Sequence, residues 1–459
     1  MLWQASSLKA VRCCGRMLHN DAVHDPDDGQ TVLIRRREVA GRMVASYQGL
    51  MTCGSVWSCP RCSAVVAHDR AAEIGAAVRE CYRQGGKVYM LTLTMRHKAS
   101  DRLADLWAAL SSGWRSAFGT RAWTGQNART AERNGKLVHV EARSGDVELF
   151  EVAGLTRVVE ATYGAPARGG HGWHLHIHAL VFCASSLRSG LRFDLPDWIS
   201  PLEDREWLAR NLFASRVHQR WSAGLRKAGY TLPGSVAVDM REVGDGGAEY
   251  LGRYLTKATY DAATRTGIEV AAGQVSKVAR LQRNRTPFEL LADLAESVDA
   301  CGFGVRTPRH WAVKEAGNGD WAVIDRDTGE VMAVTPPGEW AVWHEWEQAS
   351  KGRRQIMWSR HRRDPSSARE ELWNRLLEVR GATAKQSDEE VAAANLGGEV
   401  VGEVPRADWY RVVVWRPELV TGLLETAEAE GRVGVAIVLA EICVLAARGL
   451  PPPSENAAA

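Results

Sequence analysis

The sequence predicts an α+β fold in which the strands of a largely antiparallel sheet are interleaved with helices. Two observations carry this prediction. Segments with strand-like and helix-like spacing alternate between residues 64 and 260, and two strands flank a turn rich in glycine and proline. Such a short turn joins antiparallel strands, whereas parallel strands need a long crossover. The chain has 459 residues, so we expect two or three domains rather than one core.

The individual elements follow from the spacing of the apolar residues. A helix is expected over residues 64–82, then a strand over 88–94 and a second helix over 103–118. A hairpin is expected over residues 155–182, with its turn in the Gly/Pro-rich stretch 164–170. The remaining predictions here are a helix marked by apolar residues from 208 to 225, a strand over 236–241 and a helix over 249–260.

The character of the chain changes at about residue 300, beyond which tryptophan residues cluster. A hairpin turn is expected at residues 325–330, with helices after it. We therefore expect three parts: a cysteine-rich module over residues 1–65, an α+β domain over 66–300 and a Trp-rich, helix-containing accessory region over 301–459.

Composition excludes several classes of protein. Hydrophobic residues make up 45% of the chain and charged residues 25%, as in ordinary globular proteins. The formal net charge is only +3, so nucleic-acid binding has to be argued from local clusters. No apolar run is long enough for a membrane span, and no signal peptide is recognisable. Nine unevenly spaced cysteines do not suggest a secreted disulfide scaffold, so a cytoplasmic location is expected.

Three histidines, His174, His176 and His178, alternate along the second strand of the hairpin. Alternate residues of a strand lie on the same side of the sheet, so the three imidazoles share one side. Neighbouring imidazoles on one rigid strand suit a divalent metal ion. We favour this interpretation over three solvated strand histidines.

A third ligand can be sought on the other strand of the hairpin. If the turn centres near Arg168, Glu160 pairs with His176 and lies within reach of a shared ion. Two imidazoles and a carboxylate, with positions left open, suit Mg²⁺ or Mn²⁺. The alternative is that Glu160 is an ordinary surface carboxylate.

A second cluster of reactive residues comprises Glu249, Tyr250, Tyr254 and Lys257. At helical spacing the two tyrosines lie one turn apart on the same face, with Lys257 a further turn along. A phenol has a pKa of about 10, and a nearby cation favours the phenolate that acts as a nucleophile. Taken alone, the pattern is typical of tyrosines that pack a helix against a sheet. Its position after the histidine strand gives it weight.

Cysteines near the start of the chain have the spacing of a metal site. Cys53, Cys59 and Cys62 lie close together, and the last two form a Cys-x-x-Cys pair. Tetrahedral Zn²⁺ needs a fourth ligand, which the adjacent Cys13 and Cys14 can supply. A redox pair is the alternative for Cys59 and Cys62, but no thioredoxin-like context surrounds them, so structural zinc is favoured.

Two basic clusters could contact nucleic acid by neutralising phosphates. Each is about as well explained as a solvated helix face. The first cluster follows the tyrosines, and the second includes Trp358, whose ring could stack on a base. Their basic residues are Lys277, Arg280, Arg283 and Arg285 in the first and Arg353, Arg354, Arg360, Arg362 and Arg363 in the second.

Three motifs in this order resemble those of HUH-endonuclease rolling-circle replication initiators. They are the Thr-rich strand Leu91-Thr92-Leu93-Thr94, the His-hydrophobic-His pair and the Tyr-x-x-Lys that begins at Tyr254. Conjugative relaxases of this superfamily usually have the tyrosine before the histidines, so the order favours an initiator. The cysteine-rich segment also resembles the N-terminal region of actinobacterial rolling-circle plasmid initiators, in which Cys14 matches a Cys-Gly element.

The resemblance covers about the first two-thirds of the chain and implies a fold and a chemistry. It implies a five-stranded antiparallel sheet flanked by helices, with the histidine strand central and the tyrosine helix over it. His176 and His178 would bind the catalytic ion, with Glu160 as a third ligand and His174 in an accessory role. Zinc would be held by Cys14, Cys53, Cys59 and Cys62.

The same resemblance implies metal-dependent nicking of one strand at a plasmid origin that is single-stranded at the nick site. Tyr254 would form a 5′-phosphotyrosine link, with Lys257 favouring its phenolate. Either Tyr250 as a second nucleophile or water activated by Glu249 would serve the later strand transfer. A host helicase and polymerase would be partners, while the sequence specifies no oligomeric state. The alternatives are an HUH relaxase or transposase, or a non-enzymatic zinc DNA-binding regulator.

Overall fold

A computed structural model describes most of the chain. The described residues are 6–16, 31–39, 42–187, 202–243, 284–299, 311–315, 321–325, 328–334, 339–359, 367–381, 397–416 and 418–447. They fall into two compact units. The first unit is drawn from Met1–Val66, Phe288–Lys351 and Gln386–Ala459, and the second from Ala67–Pro287 and Gly352–Lys385.

The helices and strands are numbered in chain order. The helices are α1 Lys9–Cys13, α2 Pro60–Arg83, α3 Leu103–Phe118, α4 Arg121–Thr124, α5 Asp146–Leu149, α6 Leu202–Lys227, α7 Pro287–Asp299, α8 Glu339–Ser350, α9 Ala368–Val379, α10 Arg406–Trp415 and α11 Glu418–Ala447. The strands are β1 Thr31–Val39, β2 Arg42–Gln48, β3 Lys87–Thr94, β4 Arg129–Arg133, β5 Lys136–Val140, β6 Val152–Gly164, β7 Gly172–Cys183, β8 Val238–Glu242, β9 Trp311–Glu315, β10 Trp321–Asp325, β11 Val331–Val334, β12 Ile356–Trp358 and β13 Glu399–Pro405. Within the described residues, no helix is both long enough and apolar enough to cross a membrane.

The second unit is built on a five-stranded sheet with the order β12-β6-β7-β3-β8, in which every neighbouring pair is antiparallel. The predicted α+β class and its antiparallel sheet are therefore confirmed, and the histidine-bearing strand β7 is the central strand. The edge strand β12 comes from residues beyond 300, outside the predicted span of the α+β domain.

The β6–β7 hairpin sets the register of the sheet around the histidines. Gly164 pairs with Gly172 next to the turn, and a short 3₁₀ turn over Pro166–Arg168 closes the connection. Gly172 has φ +74°, a conformation that glycine adopts without steric cost, and an added Cβ there would lie 2.8 Å from the carbonyl oxygen of Ala99. The turn thus fixes which residues of the two strands face each other.

Apolar packing holds the far end of the sheet on the histidine side. Leu180 and Phe182 continue the period of the histidines along β7 and pack in one cluster with Ile74 and Val78 of α2 and Trp373 of α9. These five side chains are almost completely shielded from water. Helices therefore cover the Phe182 end of this side, while the histidines lie toward the β6–β7 turn.

The first unit contains a three-stranded sheet of order β13-β1-β2 and a second one of order β11-β10-β9. The predicted turn at residues 325–330 is confirmed, because β10 and β11 pair as antiparallel neighbours across it. The sheet of β1, β2 and β13 packs with α10 and α11 around a core that includes Ile34, Tyr47 and Trp409. Segments from both ends of the sequence therefore share one core.

Candidate metal centres

The histidine side chains of β7 face the same side of the sheet as one carboxylate of β6. His176 pairs with Glu160 across the strands, the pairing expected from the position of the turn. On the other flank of β7, Thr94 is opposite His176 and Thr92 is opposite His178. Three adjacent strands therefore contribute polar groups to one small region.

The three predicted ligands converge on a common point. One carboxylate oxygen of Glu160, Oε2, lies 2.9 Å from Nε2 of His176 and 2.9 Å from Nε2 of His178. All three potential ligand atoms lie within 4.8 Å of one another. The side chain of His178 is only 6% exposed, whereas that of Glu160 is 30% exposed. The group is thus rigidly held on one flank and open to a ligand on the other.

The negative charge of Glu160 favours a bound cation. Burial raises the pKa of this carboxyl, but hydrogen bonds to His176 and His178 and electrostatic attraction to them together lower it by more and hold it well below its usual range. Glu160 is therefore a carboxylate at neutral pH. A negative charge beside two imidazole nitrogens is the donor set that a hard or borderline divalent ion takes.

The distances between the Glu160 oxygen and the two histidine nitrogens fit such an ion. Ligands at about 2.0–2.1 Å in octahedral geometry are about 2.9 Å apart when they are cis to each other. The Glu160 oxygen and each histidine nitrogen already have this separation, which is also that of a hydrogen bond. An ion would replace the two hydrogen bonds without a large movement of the side chains. Residues Glu160, His176 and His178 could therefore hold Mg²⁺ or Mn²⁺.

Thr92 orients one of these ligands, a role that was not predicted from the sequence. Its Oγ1 lies 3.2 Å from Nδ1 of His178. If the hydroxyl accepts a hydrogen bond from Nδ1, the lone pair of Nε2 is left for an ion. The alternation of Thr92 and Thr94 along β3 is the sequence signal that could have pointed to this side of the sheet.

A second pair of imidazoles adjoins the ligand group. Nε2 of His97 lies 3.0 Å from Nδ1 of His174, and the rings of His174 and His176 are 5.2 Å apart. Burial, together with the neighbouring His176 and His97, lowers the pKa of His174 to about 4. His174 is therefore neutral at pH 7 and would not repel a cation. His97 was not predicted from the sequence. It lies just after β3, and its partner His174 is 77 residues further along the chain.

The predicted nucleophiles lie outside the described residues. Glu249, Tyr250, Tyr254 and Lys257 all belong to the stretch 244–283. The chain re-enters the described part at Asn284, and the backbone of Arg285 exchanges hydrogen bonds of 2.7 and 2.9 Å with Tyr163. Tyr163 is three residues from Glu160 on β6, about 10 Å along a strand. Arg285, just after this stretch, therefore lies close to the candidate ligands.

Four cysteine thiols form a separate group in the first unit. Sγ of Cys14 lies 3.4 Å from that of Cys62 and 3.6 Å from that of Cys59, and Cys53 and Cys62 are 3.7 Å apart. A disulfide would bring two sulfurs to about 2.05 Å, and none is formed here. Tetrahedral zinc with Zn–S bonds of about 2.3 Å would place its ligand sulfurs about 3.8 Å apart. The four cysteines therefore have the geometry to hold zinc.

Local structure explains why these cysteines meet. Pro60 starts helix α2 between Cys59 and Cys62, where the missing N–H of proline costs no helical hydrogen bond. The positive end of the helix dipole also favours thiolates at this position. The backbone N–H of Gly15 donates to the carbonyl of Met51 over 2.8 Å, which brings the Cys14 segment beside Cys53. Cys14, and not Cys13, belongs to the group.

The tryptophan of the second basic cluster has packing partners in the structure. Trp358 is partly buried, and its ring packs against Phe182 and Trp373, with centroid distances of 6.2 and 5.9 Å. The guanidinium of Arg380 covers it at 4.7 Å. In the same cluster, the guanidinium of Arg353 lies over the ring of Trp107 at 5.0 Å. Trp358 thus helps to pack β12 on the sheet, and its stacking on a base stays a prediction.

Comparison with known proteins supports the resemblance. The chain is 29% identical over 356 residues to a protein from Streptomyces lividans named Protein rep, an alignment that covers 74% of this chain and 68% of the relative. It is 35% identical over 201 residues to a protein from Streptomyces cyanogenus named Neomycin resistance protein, covering 40% of this chain and 41% of that relative. No family model and no solved structure matches the chain. Over most of its length, the chain is thus similar to an actinobacterial Rep protein, as its motifs predict.

Proposed function

We propose that this protein is a plasmid rolling-circle replication initiator that nicks one strand of its origin and later rejoins it. The observation that carries the proposal is the convergence of Glu160, His176 and His178 on the central strands of an antiparallel sheet. The similarity to the Streptomyces lividans Rep protein supports replication of a plasmid as the biological setting. The order of the motifs supports an initiator of the HUH class.

The division of labour in this proposal follows the two units. The second unit would carry the nicking chemistry, because it contains the sheet and the Glu160 group. The first unit would carry a structural zinc ion, held by Cys14, Cys53, Cys59 and Cys62. Zinc that joins segments about 40 residues apart would supply folding free energy to this part of the chain.

In the proposed reaction, the phenolic oxygen of Tyr254 attacks the scissile phosphorus. The bond from phosphorus to the 3′-oxygen breaks, the phenol proton is lost, and the 3′-oxygen takes up a proton as it leaves. Lys257, one helical turn from Tyr254 if the stretch is helical, would favour the phenolate. A divalent ion bound at Glu160, His176 and His178 would supply positive charge that polarises the phosphate.

The products of this step account for both priming of replication and later rejoining of the strand. A free 3′-hydroxyl can be extended by a polymerase while a helicase opens the duplex ahead. The 5′ end stays on the tyrosine as a phosphodiester, so rejoining needs no nucleotide cofactor. Tyr250, or water activated by Glu249, would serve the second transfer.

The test uses the full chain and supercoiled DNA that carries its own gene and flanking sequence. Incubation with Mn²⁺ or Mg²⁺ is expected to give a nicked circle with protein attached to one 5′ end, which primer extension can map to a single position. The same reaction in EDTA should leave the DNA supercoiled. If binding occurs without any nicked or protein-linked product, the proposal is wrong and a zinc-dependent DNA-binding regulator becomes the better explanation.

A further inference from the structure

A two-stranded ribbon, formed by β4 and β5, is a feature of the second unit that the proposed nicking reaction does not use. The two strands pair with each other from Arg129 opposite Val140 to the turn at Asn134 and Gly135. Both turn residues have positive φ, +50° and +73°, as in the tight turns that match the twist of a hairpin. In the described part of the chain these strands form a sheet of their own.

The base of this ribbon is firmly attached to the unit. Gln126 and Arg143 exchange two backbone hydrogen bonds of 2.9 Å, and the side chain of Gln126 donates to the carbonyl of Glu141 over 3.0 Å. Just before the base, Trp123 is buried and contacts Phe213 of α6, with a centroid distance of 6.0 Å. Within the described residues, the ribbon is therefore attached to the unit at its base.

The rest of the ribbon faces solvent on both sides. Leu137 is 79% exposed and Val138 is 39% exposed, although they lie on opposite sides of the ribbon. A two-stranded ribbon without a covered face gains little from burial of apolar surface. The ribbon therefore exposes apolar side chains to water, and a binding partner could bury them.

Charge is unevenly divided between the two sides. Alternation along the paired strands places Arg129 and Lys136 on one side, together with Ala131 and Val138. The carboxylate of Glu132 belongs to the other side. One side of the ribbon thus carries exposed cations and small apolar groups. None of the residues of β4 and β5 on that side has a carboxylate.

We infer that this ribbon binds duplex DNA by entering the major groove. That groove is about 12 Å wide and about 8.5 Å deep and admits a two-stranded ribbon. A strand of five residues is about 17 Å long, enough to cross the depth of the groove. Arg129, at the base of the ribbon, would contact a phosphate at the groove edge, whereas Lys136, next to the turn, would lie near the groove floor within reach of base edges. The inference rests on the proposed function only in taking DNA as the partner.

The experiment measures binding of the full chain to a fluorescein-labelled, mixed-sequence duplex of about three helical turns, at several salt concentrations. The double variant Arg129→Ala/Lys136→Ala is expected to bind more weakly. The slope of log K against log salt should become shallower by about 0.9, the value for the one phosphate contact that Arg129 makes. The matched control, Thr130→Ala/His139→Ala, changes the opposite side of the ribbon and should bind like the unaltered protein.

A second assay separates this inference from the nicking proposal. On a single-stranded oligonucleotide that contains the mapped nick site, the double variant should cleave at the rate of the unaltered protein, since the ribbon contributes no ligand to the Glu160 group. If no protein form cleaves DNA but the double variant still loses duplex affinity, the nicking proposal fails and the ribbon assignment holds. Equal duplex affinity and equal salt slopes for the double variant and the unaltered protein would overturn the ribbon assignment. A change that appears only in the oligomeric state, measured by light scattering, would overturn it in favour of a protein contact through the ribbon edge.

Discussion

The hydroxyl of Thr92 lies 3.2 Å from Nδ1 of His178, on the strand next to the one that carries the histidines. It therefore fixes the ring of a candidate metal ligand through the nitrogen that the ion would not use. A partner of this kind sets both the tautomer and the orientation of the ligand. Thr92 is thus a positioning residue, and its effect can be measured on metal binding alone.

We predict that Thr92→Val weakens Mn²⁺ binding by about 10- to 100-fold, because valine keeps the shape of threonine but removes the hydrogen bond to His178. Isothermal titration of the full chain with Mn²⁺ measures the change. Thr92→Ser should restore most of the affinity. The matched control is Thr94→Val on the same strand, since the hydroxyl of Thr94 bonds to the carbonyl of Ala237 instead. Equal affinities for Thr92→Val and Thr94→Val would contradict the assigned role.

Removal of a metal-binding histidine should impair the metal site more than removal of the Thr92 hydroxyl that positions His178. His176→Ala or His178→Ala is expected to lower metal-dependent nicking by at least about 100-fold, because only one imidazole would remain with Glu160. His174→Ala is the matched control on the same side of β7, and it should retain more activity than either ligand variant. The rates are compared on supercoiled DNA at saturating Mn²⁺. Full activity in either ligand variant would rule out this metal site.

For the cysteine group, we predict one zinc ion per chain, lost when Cys14, Cys53, Cys59 or Cys62 is changed to serine. The neighbouring Cys13 provides the control, because it is buried outside the group and Cys13→Ser should keep its zinc. Elemental analysis of purified protein measures the metal content, and circular dichroism follows the expected loss of ordered structure. Folded, active protein without zinc would show that the four thiols have another role.

Acid should weaken one contact between helices of the second unit. Hydrogen bonds from Arg83 and Gln84 of the α2 region, with Arg375 of α9, lower the pKa of Glu80 to about 2. A carboxyl whose pKa is depressed on folding adds stability that is present above its unfolded value, here 4.5, and is lost as pH falls toward 2. Glu80→Gln should therefore lower the Tm at pH 7 and make little difference near pH 2. Glu148→Gln at an exposed position is the control and should change the Tm at neither pH. A pH-independent effect of Glu80→Gln would contradict this account.

Local patterns explain why much of the candidate site was predictable. Strand alternation puts His174, His176 and His178 on one side whatever the rest of the fold does. The short turn then decides which residue of β6 faces His176, and Glu160 follows from counting back through it. Neither step needs information from distant parts of the chain.

Features that depend on distant contacts were not predictable in this way. Strand β12 has three residues and forms because Ile356 pairs with Val158, about 200 positions earlier in the chain. A run that short has no recognisable period. The β1–β13 pairing likewise joins the two ends of the sequence. By contrast, Asn134-Gly135 is a strong local hairpin signal, and the β4–β5 ribbon could have been found from it.

The two tyrosines give the most direct test of the chemistry. Tyr254→Phe should abolish the covalent protein–DNA adduct while DNA binding stays within about twofold, because only the nucleophilic oxygen is removed. Tyr250→Phe should still form the first adduct but impair the second strand transfer. Mass spectrometry of the peptide attached to a suicide oligonucleotide identifies the residue that carries the DNA.

An adduct on Tyr250 alone would reverse the two roles, and an adduct on neither tyrosine would remove the mechanism. If Tyr250→Phe completes both steps like the unaltered protein, water activated by Glu249 is the better account, and Glu249→Gln should then trap the adduct on Tyr254.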